Sequence, residues 1–180
     1  HVAKDMKIQV EFNSAHGRAY RLLGYENRAI DDNDFRNDVV DAGEVGAGHR
    51  VTALYELVLT DGEIPDLRDA PPIDSGEPVE GEREIGEGEL VRIKIRYKDV
   101  DATATDPAYE FVRALAPGAI LEDANDADQD LLWAAAIASF AEILKDSPYA
   151  DRDELDRIQA IISAQAERDA DRAEFSGLFE

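Results

Sequence analysis

The sequence predicts an α+β protein: a mainly antiparallel β-sheet or sandwich-like first part, followed by C-terminal α-helices that pack on it. Three observations predict this. Apolar residues alternate with period two through the first half, the period turns helical after Pro117, and strands precede helices without the β–α alternation of nucleotide-binding folds. The expected division is a β-rich part over residues 1–116 and a helical part over 117–180, together one domain. A chain of 180 residues is long enough for one sizeable core.

The first strand is Met6–Phe12. Met6, Ile8, Val10 and Phe12 alternate with Lys7, Gln9 and Glu11, which predicts one buried and one polar face. YRLLGY, from Tyr20 to Tyr25, is a weaker second strand. Residues 29–41 are rich in Asp and Asn around Phe35 and read as a loop with a short helical turn. A third strand spans His49–Thr60. Val51, Ala53, Tyr55, Leu57 and Leu59 share one face of it and Leu54 and Val58 the other, the pattern of a central strand covered twice.

Residues 61–89 shift to Pro, Gly, Asp and Glu and carry no hydrophobic period, as a long acidic surface loop does. LVRIKIRYK then gives the cleanest strand, with Val91, Ile93, Ile95 and Tyr97 expected inward and Arg92, Lys94, Arg96 and Lys98 outward. Tyr109–Leu115 adds one more strand.

After Pro117, Asp128 or Asp130 caps a helix through Leu131–Lys145 that is apolar nearly all round, so that it must pack on more than one side and bury Trp133. Ser147 and Pro148 end it. Asp151 and Glu154 form an acidic capping box for a second helix, with Leu155, Ile158, Ile161, Ile162 and Ala166 along one stripe. Phe175, Leu178 and Phe179 suggest a short third helix.

Charge and composition exclude several functions. With 41 acidic and 19 basic residues the net charge is −22, which repels nucleic-acid backbones and anionic membrane surfaces. No apolar run is long enough to insert into a bilayer. The absence of cysteine excludes disulfides, thiol catalysis and Cys-ligated metals. The chain begins HVAKDMKIQVEF, with neither initiator Met nor leader, and reads as a piece of a longer polypeptide.

Candidate chemistry is sparse. GEVGAGH precedes a strand and lacks the Lys and Ser/Thr of a phosphate loop, so it reads as a tight turn. His1, His16 and His49 form no ligand pair. DANDADQD places Asp123, Asn125, Asp126, Asp128 and Asp130 at calcium-loop spacings, but without the Gly and the bidentate Glu of that loop, so capping competes with calcium. The basic row Arg92, Lys94, Arg96 and Lys98 stands out in so acidic a chain: it suits an acidic neighbour, or pairing across the sheet with Glu11. No Ser/His/Asp order, G-x-S-x-G elbow or HExxH helix is present, and the expectation is a non-enzymatic domain without cofactor.

KIQVEFN, YRLLGYENR, DAGEVGAGHRVTALYEL and LVRIKIRYK together resemble the C-terminal domain of unknown function of bacterial YfbK-like von Willebrand factor type A domain-containing proteins. The resemblance implies an accessory module C-terminal to a von Willebrand factor A domain in a cell-envelope protein, periplasmic or at the cell surface. Its partner would be that upstream domain, with self-association as a further expectation. The metal site of that domain uses a DxSxS motif; none occurs here, so no metal function carries over. The alternative is a calcium-binding module built on the Asp-rich loop.

Overall fold

The computed structural model describes residues 1–24, 35–37, 42–62, 85–103 and 105–179. Most of the acidic stretch and of the Asp- and Asn-rich loop expected before the third strand lies outside them. The described chain forms strands first and helices last, as an α+β protein does. It divides into two compact units, one holding nearly all of the strand residues and ending at Ala119, the other holding the helices from Ile120 onward together with Thr52–Leu54.

The strand unit contains β1 (Ala3–Phe12), β2 (Gly17–Leu23), β3 (Gly43–Val45), β4 (Leu54–Leu59), β5 (Val91–Lys98) and β6 (Tyr109–Leu115). Four of them form one sheet in the order β3-β1-β5-β6, while β2 and β4 pair in a second. The third strand foreseen in the sequence is therefore not central. Its regular part is only β4, in the two-stranded sheet, and Val51 is exposed. Alternation of apolar residues on both faces gave no information about which neighbour it would choose. GEVGAGH supplies β3 as well as a turn, in which Gly48 takes a φ of +79° that a side chain would strain.

β1 and β5 pair antiparallel, Phe12 opposite Val91, Val10 opposite Ile93 and Ile8 opposite Ile95, with Glu11 opposite Arg92, Gln9 opposite Lys94 and Lys7 opposite Arg96. Directly opposed residues share a face, so the register sorts apolar from charged side chains across the sheet. Near the start of β1 the register slips between Lys4 and Lys7. Asp5, within the slip, takes a φ of 51°, the left-handed conformation found in one class of bulge. Asn13 ends β1: its side-chain oxygen accepts from the Ala15 amide at 2.9 Å, and its amide group donates to the carbonyls of Gly86 (2.9 Å) and Glu89 (2.7 Å) on the approach to β5. Phe12 meets Tyr20 of β2 at 4.6 Å and Tyr55 of β4 at 5.5 Å between ring centroids, which ties the two-stranded sheet to that end of the larger one.

The helical unit consists of α1 (Gln129–Leu144), α2 (Leu155–Gln165) and α3 (Ala170–Gly177). Asp128 caps α1 by accepting from the Asp130 amide, and Asp169 caps α3 by accepting from the Arg172 amide. Before α2, Asp151 caps a short 3-10 turn, Arg152–Glu154, so the expected capping box is only half formed. Ala136, Ile143, Ile158 and Ile162 form the core, ringed by Trp133, Phe140, Leu155, Ile161, Phe175 and Phe179. α1 is less enclosed than its composition suggests: Leu131 and Leu144 are exposed, and Trp133 is half-buried against Phe175 at 5.6 Å. Arg172 lies 5.0 Å over the Trp133 ring, bonds Gln165 of α2, and pairs with Asp130 at 2.5 Å and Asp169 at 3.1 Å. One guanidinium thus joins all three helices.

Candidate functional site

The sheet reverses the burial that its sequence alternation implies. Arg92, Lys94 and Lys98 are only 3%, 4% and 2% exposed, and Lys7 4%, whereas Ile8 is 45% exposed. Arg96 is half-buried. The basic row expected to face solvent is the covered face, while the apolar face is open at Ile8 and along β6, half-buried along β5, and packed on Tyr20 and Tyr55 at Phe12. Period two distinguishes two faces but does not say which is covered. Here the stems of Lys and Arg supply apolar bulk while carboxylates and carbonyls meet their charges, which burial of a charge demands.

Those partners are visible. Arg92 pairs with Glu89 and, at 3.4 Å, with Glu11, while Lys94 pairs with the other oxygen of Glu11. The cross-sheet pairing with Glu11 expected from the sequence is present. Lys7 donates to the carbonyl of Asn37 and Lys4 to that of Ala102. Phe35 is buried, and Arg36 makes a two-pronged contact with Glu110 of β6 at 3.0 and 3.2 Å. The hydrogen bonds from Arg36 hold the Glu110 carboxyl below its ordinary pKa. Sequence reasoning missed Lys7 and Gln9 as members of this buried face; their register opposite Arg96 and Lys94 is the signal, and it needs the pairing to be known.

The other face of the sheet carries Ile8, Val10 and Phe12 from β1, Val91, Ile93, Ile95 and Tyr97 from β5, and Tyr109, Phe111, Arg113 and Leu115 from β6. Tyr109 and Phe111 are each 54% exposed and Leu115 41%. Tyr97 and Tyr109 stack at 5.5 Å. The charge of Asp99, to which Tyr109 also hydrogen-bonds, raises the Tyr109 phenol above its usual pKa. In a chain with 41 acidic residues, none of these eleven is acidic, and Arg113 is the charged one.

The Asp-rich stretch is not gathered around a point. Asp123 accepts from the Asn125 amide at 2.8 Å at the start of the 3-10 turn Ala124–Asp126, Asp128 caps α1, and Asp130 pairs with Arg172. Asn125 and Asp126 lie exposed within that turn. Among the described residues no three His, Asp or Glu are placed to hold a metal ion, and no helix is long and apolar enough to cross a membrane.

The family described as "Uncharacterized protein YfbK, C-terminal" matches residues 1–180. Uncharacterized protein YfbK of Escherichia coli (strain K12) is 34% identical over 183 residues, a match that covers 99% of this chain and 29% of that protein. No solved structure matches the chain. A match to the family along the whole length, supported by that relative, shows that the chain belongs to the YfbK C-terminal family.

Proposed function

We propose that this chain is a non-catalytic accessory domain of a bacterial cell-envelope protein, and that it works by protein–protein contact with a von Willebrand factor A domain of the same polypeptide. The observation that supports this reading is the open apolar face of the sheet, with Ile8, Tyr109, Phe111 and Leu115 about half exposed. An antiparallel sheet with one face in water normally shows its polar face to water. Here the polar face is covered, so covering the apolar one as well yields about 25 cal/mol for each Å² of apolar surface removed from water. A contiguous apolar face on a highly charged protein is a docking surface. The reading assigns no catalytic residue and no cofactor, and it places the domain in the periplasm or at the cell surface.

The test is titration calorimetry of this chain against the A domain produced as a separate protein. Binding is expected, with a negative heat-capacity change that marks apolar burial. The Ile8→Asp variant, verified as folded by circular dichroism, should lose it. Absence of binding, or binding that Ile8→Asp leaves intact, would overturn the reading.

A further inference from the structure

We propose that two copies of this chain join through their β6 strands, antiparallel across a two-fold axis at Val112, so that two four-stranded sheets run on as one of eight. The two ends of the larger sheet differ. At one end β3 is three residues long and its register with β1 breaks between Ala3 and Met6. Shortness and a break are the usual means of closing an edge to further strands. At the other end β6 pairs with β5 in an unbroken register from Val91 opposite Leu115 to Tyr97 opposite Tyr109, and all seven of its residues are exposed. It contains no Pro, Gly or Lys, and among the described residues no strand lies along its outer side. Such an edge presents a row of backbone donors and acceptors ready for another strand.

The pattern of β6 selects a second copy as that strand. Within a chain of net charge −22, YEFVRAL is locally neutral, with Glu110 and Arg113 as its charges. A two-fold axis perpendicular to the sheet keeps apolar face beside apolar face. Centred on Val112 it pairs all seven residues: Tyr109 with Leu115 of the second copy, Glu110 with Ala114, Phe111 with Arg113, and Val112 with Val112. No like charges meet, and two guanidinium–aromatic contacts form. Moving the axis to Arg113 sets arginine against arginine. Moving it to Phe111 leaves two residues of each strand without a partner. The whole-chain charge opposes the pairing at long range, so the dimer should tighten as salt screens it.

The proposal does not depend on the accessory role, and its test uses neither the A domain nor Ile8. Because the chain has no cysteine, single-cysteine variants report the register directly. Val112→Cys brings two thiols opposite each other and should give a covalent dimer on mild oxidation. Glu110→Cys places them four residues apart, about 13 Å along the strands, and should not. In sedimentation equilibrium at low and high salt the unaltered chain should dimerise, more tightly at high salt. Ala114→Glu, which sets a carboxylate opposite Glu110, should weaken the dimer at least tenfold, whereas Ala114→Lys should tighten it. A monomer at every salt concentration, equal cross-linking of the two cysteine variants, or equal association of the two Ala114 variants would each overturn the proposal.

Discussion

Glu11 shows most directly how single residues hold the covered face together. Its two carboxylate oxygens meet Arg92 and Lys94, both nearly removed from water. Glu11→Gln keeps the shape and removes the charge. Because breaking a buried pair leaves cations with less compensation, the variant should lose about 3 kcal/mol of stability in urea unfolding. Glu110 makes a more exposed pair with Arg36, and its effect should be smaller and pH-dependent. Its carboxyl titrates lower in the folded chain than in the unfolded one, so its stabilisation is fully present above the ordinary carboxylate range. That contribution is lost as the pH falls through the lowered folded value. Glu110→Gln should therefore cost about 0.5 kcal/mol at neutral pH, and the difference from the unaltered chain should vanish in acid, as measured by unfolding at a series of pH values.

At the scale of elements, the end of α1 is closed by a Schellman motif. The Ser147 amide donates to the Glu142 carbonyl at 3.0 Å and the Asp146 amide to that of Ile143 at 3.1 Å. Asp146 occupies the left-handed position, φ 54°, where glycine is the usual residue. An aspartate tolerates that conformation at some cost, offset by an exposed contact with Arg152 at 2.7 Å. Asp146→Gly should raise stability by about 0.5 kcal/mol, read as a shift of the urea midpoint with unchanged slope. An unchanged or lower midpoint would show that the Arg152 contact outweighs the backbone strain. The cap at Asp128 was legible in the sequence because capping is local chemistry, settled within three residues, whereas Asp169 as the cap of α3 emerged only from the structure.

For the molecule as a whole, the acidic surface dominates the response to ions. Divalent cations screen a net charge of −22 whether or not a site exists. Asp123 and Asp128 of the Asp-rich stretch serve as caps and Asp130 pairs with Arg172, so calcium should raise the melting temperature no more than magnesium at equal concentration. A rise specific to calcium would return that stretch to consideration as a ligand site. The family assignment also operates at this scale. The chain spans about 29% of the length of the curated relative it matches, and the resemblance through KIQVEFN and LVRIKIRYK identified the family from segments that become β1 and β5.

By itself the sequence determined the order of elements, the local caps, and the existence of two unlike faces on β1 and β5, since each depends on residues close together in the chain. The tertiary structure alone decided that β4 pairs with β2 rather than joining β1 and β5, and that Arg92, Lys94 and Lys98 are covered while Ile8 is not. The reason is physical. Alternation is the same whichever face is buried, and a lysine or arginine row reads as solvent-facing until its carboxylates and carbonyls are in place. Those partners, Glu11 and Glu89 for Arg92 and Lys94, and the Asn37 and Ala102 carbonyls for Lys7 and Lys4 on the same face, come from four separate parts of the chain.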